Sequence, residues 1–225
     1  MKEQYLEDYL NCYFISRDEL ERKLEVDSHE LNELINCGFI PSWSYKVEDG
    51  FVRSHIFGES LAPSCDNREY FSPYAVDWYY YHLEHFADYK TIDGLKSKLH
   101  LHFIQAFAAE AHASESFQAT FPELLESSNL LQEMANNTWL HYMKGTFGVC
   151  IRKPSSIAHL IEKQVAAAAL SKVTNNGKKF DYDAEELVVL HRCIREYNKV
   201  AMPFSPVDYE KSSRKRLVDN VVNKL

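Results

Sequence analysis

The chain has 225 residues and a mass of 26.2 kDa, enough for one large domain or two small ones. Hydrophobic residues make up 45%, which excludes disorder as the main state, and 7 Gly with 7 Pro are too few for an all-β sandwich or barrel. A formal net charge of −8, from 33 acids against 25 bases, is a poor starting point for neutralising nucleic-acid phosphates.

Tyr5, Leu6, Tyr9, Leu10 and Tyr13 form a short amphipathic segment. Ser16-Arg17-Asp18-Glu19 then reads as a capping box, in which a hydroxyl and a carboxylate satisfy the orphan amides of a helix start. A second box follows at Asp27-Ser28-His29-Glu30, and Gly38 with Pro41 ends that helix. Two short helices with Leu20, Leu24, Val26, Leu31 and Ile35 facing inward make helix-turn-helix patterning. Asp49-Gly50 between the β-prone runs Tyr45–Val47 and Phe51–Gly58 predicts a hairpin, which completes a winged-helix layout.

The run from Ser16 to Gly38-Phe39-Ile40-Pro41 resembles the head of MerR-type regulators and excisionase-like modules. That resemblance implies a DNA-binding transcription regulator. Its turn glycine is Glu25 here, and the second helix carries no Lys or Arg. Ser28, His29 and Asn32 would read base edges, with Arg17 and Arg53 on phosphate. The alternative is a head used for packing or protein interaction.

Residues 59–72 read as a loop and a domain boundary, so the expected units are 1–60 and 70–225. Beyond it the signals are helical. Ser72-Pro73, Thr91, Thr120-Phe121-Pro122-Glu123, Asn129, Ser155 or Ser156, and Asp183-Ala184-Glu185-Glu186 each mark a start. Asn175-Asn176-Gly177 and Pro203 mark stops, and Leu217, Val218, Val221, Val222 and Leu225 form a last amphipathic stretch. The fold expected is mainly α: a winged-helix-like head with one β-hairpin, followed by a bundle of about six helices.

Chemistry is harder to find. No Glu-x-x-His or His-Glu-x-x-His occurs. His82 and His85, at i, i+3, share a helical face as either metal ligands or packing groups. Gly145-x-x-Gly148 lacks the Lys-Ser/Thr ending of a phosphate loop, and reads as an anion site with Arg152 and Lys153 or as a tight turn. Cys150 near a helix start is either a small core residue or a low-pKa thiol. Trp78, His82, His85, Trp139, Tyr142 and Arg152 are the candidate pocket residues. No catalytic residue, cofactor or metal is called for.

Five cysteines with wide spacings and no Cys-x-x-Cys predict reduced thiols. With no signal-peptide pattern and no membrane-length apolar run, the expected location is the cytoplasm. Residues 1–41 hold ten acids against four bases, whereas residues 190–225 hold eight bases against four acids. An acidic head and a basic tail suit a protein partner or a second copy, a small-molecule ligand remains open, and membrane association is not expected.

Nearly the full length resembles a bacterial domain-of-unknown-function family labelled "natural product biosynthesis protein". The resemblance rests on Tyr13 to Leu20, Gly38 to Tyr45, Phe57-Gly58, Tyr70-Phe71-Ser72-Pro73, and Trp139 through Gly145 to Cys150. It implies little mechanism and no catalytic residues to carry over; the leading expectation is a non-catalytic interaction or ligand-sensing protein, accessory to a biosynthetic pathway. Two other readings stay open: a MerR-like regulator, and an enzyme with an aromatic pocket in the helical region.

Overall fold

A computed structural model describes residues 2–225, with side chains from Tyr5 onward. Most of the chain is helical, with one small antiparallel sheet in its first third. Among the described residues, no helix is long and apolar enough to cross a membrane.

Helix α1 (Lys2–Tyr13) leads through β1 (Ile15–Ser16) into α2 (Arg17–Leu24) and α3 (Ser28–Cys37). Ser16 accepts from the Glu19 amide and Asp27 from the Glu30 amide, so each expected cap forms. The Glu30 carboxylate does not close its box; it turns away to Tyr89 and Lys90. Glu25 takes the left-handed conformation that ends α2 (φ 56°), the place where the related pattern has glycine.

The expected hairpin is β2 (Tyr45–Glu48) and β3 (Phe51–Ser54), with positive φ at both Asp49 and Gly50. The rest of this region departs from expectation. Phe51–Gly58 is not one strand: the chain turns at 55–57 and returns as β4 (Gly58–Leu61). Residues 59–72, expected as a loop, also hold β5 (Arg68–Phe71), giving the order β1-β5-β2-β3-β4. Gly58-Glu59-Ser60-Leu61 is a largely exposed edge strand, so no apolar alternation announced it. Tyr45, Val47, Val52 and Tyr70 pack with Leu6, Tyr9, Leu10 and Phe14, which explains the apolar face of α1.

The helical region comprises α4 (Ala75–His85), α5 (Leu95–Ala113), α6 (Glu115–Thr120), α7 (Pro122–Glu126), α8 (Ser128–Met143), α9 (Thr146–Cys150), α10 (Ile157–Val173), α11 (Ala184–Val200) and α12 (Asn220–Val222). Ser156 caps α10, and Asp183 with Glu186 forms both bonds of a capping box on α11. Four expected starts move. Tyr74 rather than Ser72 precedes α4, Gly94 rather than Thr91 precedes α5, and Ser127 rather than Asn129 caps α8. Thr120 ends α6 instead of capping α7, which begins at Pro122. The starts move by one to three residues; at α8 the neighbouring Ser127 hydroxyl supplies the cap bond, whereas Tyr74, Gly94 and Phe121 make no side-chain cap.

One core runs through both parts of the chain. Leu20, Leu24, Leu31, Leu34, Phe39 and Ile40 join Trp78, Phe103, Trp139 and Tyr142 in a single cluster. The join is tight at Gly38, the left-handed cap of α3 (φ 85°), where a Cβ would sit 2.5 Å from Trp139 and from the Met143 sulfur. A second cluster ties α10 and α11 to Leu217, Val218 and Val221.

Gly38→Ala therefore meets both a backbone penalty and a clash, and should cost about 3 kcal/mol in urea unfolding. Gly94→Ala shares the positive φ but faces open space, and should cost only about 1 kcal/mol. Equal losses at the two positions would show that the α3–α8 contact is not tight.

Candidate functional site

Trp78, His82, Trp139 and Tyr142 do come together, but as packed core between α4 and α8. Trp78 and Tyr142 have ring centroids 4.7 Å apart, and Trp139 stacks on Tyr142 at 5.3 Å. The Trp78 indole donates to the Pro154 carbonyl at 2.6 Å. The Tyr142 hydroxyl donates to the carbonyls of Gly38 and Phe39, each at 3.3 Å. His82 donates through Nδ1 to the Phe39 carbonyl at 2.7 Å. The opening beside this cluster measures ≈ 10 Å³, room for a single water rather than a ligand.

His82 is completely buried, and its Nε2 has no partner. Burial lowers its pKa to about 4, although the bond to Phe39 favours the charged form. His85 does not share its environment. It lies exposed, bonded to the Tyr81 carbonyl of its own helix, with its ring 4.6 Å from His102. Among the described residues, no group of three or more His, Cys, Asp or Glu is arranged to hold a metal.

Arg152 stands apart from this cluster, in an open cleft of ≈ 710 Å³ between α10 and α11. The pair is closed at one end by hydrogen bonds from the Arg152 amide to Val200 (2.8 Å) and from the Met202 amide to Cys150 (3.2 Å). The cleft has apolar walls from Ile151, Val165, Ala166, Ala169 and Val200. Four cations, Arg152, Lys153, Arg192 and Lys199, line it with two carboxylates, Glu162 and Glu196. Lys199 is bridged to Glu196 at 2.9 Å, and Arg152 reaches only the Asn198 carbonyl at 3.4 Å. His159 is held by the hydroxyls of Ser155 and Ser156. Burial pushes the Cys193 thiol up, so it stays protonated at neutral pH. Beside the cleft, Lys163 lies buried against the Tyr197 ring at 4.6 Å, its pKa lowered by burial.

Of the cations of this cleft the sequence pointed to Arg152 and Lys153. Its residues on α10 and α11 alternate with core positions, so their spacing looks like that of an ordinary packed helix pair. The available signal was Arg192, Glu196, Lys199 and Val200 on one face of α11, opposite the small residues Ala166 and Ala169.

The head residues matched to DNA contact are mostly engaged within the chain. Arg17 bridges Glu21 at 3.0 Å and Glu69 at 2.9 Å, and also donates to Asn32 Oδ1 at 2.7 Å. Ser28 donates to Glu21 at 2.6 Å. Arg53 bridges Glu48 at 2.8 Å and Glu59 at 2.6 Å. His29 is exposed, beside Glu33.

Gly145, just before α9, and Gly148, within it, serve close packing. A Cβ on Gly145 would strike the Ser42 and Trp43 carbonyls, and one on Gly148 the Ser44 hydroxyl. Their amides already donate to Tyr142 and Gly145, so neither is free for an anion. Burial raises the Cys150 thiol, in keeping with a core role.

Comparison with known proteins adds one match. A model described as a family of unknown function (DUF6058) covers residues 99–225, a span that contains the whole α10–α11 cleft. No curated protein and no solved structure matches the chain.

The buried imidazole sets a pH dependence. Folded His82 stays neutral down to about pH 4, whereas the unfolded side chain takes a proton near its ordinary 6.5. Its contribution is fully present above pH 6.5 and is lost as pH falls toward 4, amounting to about 3 kcal/mol. Urea unfolding across that window should show a shallower slope for His82→Gln than for the unaltered chain. Identical slopes would mean that the imidazole takes its proton in the folded state at the same pH as in the unfolded chain.

Proposed function

The chain belongs to this family of unknown function, and we propose that it is a non-catalytic binding protein whose α10–α11 cleft holds a small-molecule ligand. The observation carrying this reading is the cleft itself. Its ≈ 710 Å³ falls within the usual range of ligand sites, and apolar walls with a few polar groups are what such sites present. Binding rather than catalysis is supported by the state of its reactive groups. The Cys193 thiol is held protonated, and His159 is turned toward two serines rather than toward a nucleophile. The resemblance to proteins of natural-product biosynthesis supports an accessory, ligand-sensing role.

On the same reading the winged-helix-like head is a packing platform. Arg17 and Arg53, the cations available for phosphate, are each shared between two carboxylates. Releasing them toward DNA would leave Glu21, Glu69, Glu48 and Glu59 facing the same backbone, which adds repulsion to lost pairing.

The neutral apolar fluorophore N-phenyl-1-naphthylamine tests the reading. It should bind the native protein with one saturable site, and Ala169→Trp, which fills the cleft, should weaken it at least about tenfold with an unchanged melting temperature. Absence of saturable binding, or binding indifferent to Ala169→Trp, would remove the cleft as a ligand site.

A further inference from the structure

The cations of the cleft are not balanced by its carboxylates. Lys199 has its partner in Glu196, at 2.9 Å. Lys153 and Arg192 bridge no carboxylate among the described residues, and Arg152 has only a neutral carbonyl. Glu162 is the one lining acid left to oppose these three. This local excess of positive charge stands out in a chain whose net charge is −8.

The positions also have a direction. His159 and Glu162 lie toward the start of α10, and Lys199 and Val200 lie at the end of α11. The Arg152–Val200 and Cys150–Met202 backbone bonds fasten these two ends together. Arg152, Lys153 and Lys199 therefore mark one end of the cleft. Ala169 lies about 10 Å further along α10 than Glu162, from ~1.5 Å of rise per residue. Between them Val165 and Ala166 offer a wall of short apolar side chains.

Resting on the binding function proposed above, we infer that the ligand is a small amphipathic anion. Its carboxylate, sulfonate or phosphate head sits between Arg152 and Lys153, and its apolar body runs along Val165, Ala166 and Ala169. Arg152 suits this task, because its planar guanidinium offers paired donors to an oxyanion and only one of its nitrogens is engaged, by the Asn198 carbonyl at 3.4 Å. A cationic amphiphile of the same length meets three unpaired positive groups and is rejected. A duplex or a broad acidic protein surface would need a flat basic face, whereas these cations surround a concave apolar floor.

Competition with bound N-phenyl-1-naphthylamine separates the outcomes, using octanoate, octanol and octyltrimethylammonium as probes. Octanoate should displace the fluorophore at a concentration at least about tenfold below that of octyltrimethylammonium, with octanol between them. Arg152→Glu combined with Lys153→Glu should erase or invert that order, read against the double variant's own fluorophore affinity, with the melting temperature as it was. Both side chains are exposed, so the double variant is expected to fold. If the fluorophore binds but the three probes compete alike, the anionic class is overturned and the cleft stands. If octanoate is preferred and the double variant keeps that preference, the head-group site is overturned. If neither fluorophore nor octanoate binds, as read by fluorescence and calorimetry, the cleft and its ligand class fall together. Anionic phospholipid vesicles form a further arm. Co-sedimentation with them, without displacement by free octanoate, would contradict a free small molecule as the ligand.

Discussion

The Phe39 carbonyl is the point on which the two parts of the chain depend. It accepts from His82 on α4 at 2.7 Å and from Tyr142 on α8 at 3.3 Å, and it follows directly on the left-handed cap of α3. A carbonyl just past a helix end has no place in the helix's hydrogen-bond ladder, and burying it unpaired is expensive. The chain satisfies this one with two aromatic side chains from the helical region. That choice requires Gly38 to pass within contact of Trp139 and Met143. It also requires His82 to be neutral, because Nδ1 must donate inside an apolar cluster that gives a second proton nowhere to go. Trp78, Trp139 and Tyr142 thus serve the joint between head and bundle, which is why they leave no space for a ligand.

With the aromatic cluster taken up by structure, the ligand space lies where helices meet through small residues. Ala166 and Ala169 on α10 face α11 across the open cleft. The backbone bridge between Ile151 and Ala201 closes its floor at one end. Short side chains keep the walls apart, and the charged residues stand at the rim, where their long stems cover apolar surface while the heads remain in water. The family match spans this cleft entirely but leaves the helix pair and the sheet of the head outside it. The part of the chain that defines the family is therefore the part that carries the cleft.

Local signals were most legible where one residue type alone suits a position. Asp49-Gly50 in its hairpin, Gly38 at the end of α3, and the Asp183–Glu186 box all stand where their chemistry put them. The two strands after residue 57 were hidden because neither shows an apolar alternation: Gly58–Leu61 is mostly exposed, and Arg68–Phe71 buries only its last two residues. Arg17, Ser28, Asn32 and Arg53 were legible as polar groups of the first part of the chain. Arg17–Glu21 is an i, i+4 pair on α2 and can be read from spacing, but the partners Glu69, Glu48 and Glu59 lie on other strands, and pairing across the sheet cannot. The cleft was hidden for the same reason. Arg152 and Arg192 lie forty residues apart and line one cleft only because α10, with the segment before it, packs beside α11.

Amide chemical-shift mapping of the full chain with octanoate tests most directly whether function resides in this cleft. The account predicts that the perturbed amides cluster at Arg152–Lys153, along Val165–Ala169 and along Arg192–Val200, and that Ser28–Cys37 is silent. A cluster of shifts on α3, or shifts scattered over the surface without saturation, would contradict it.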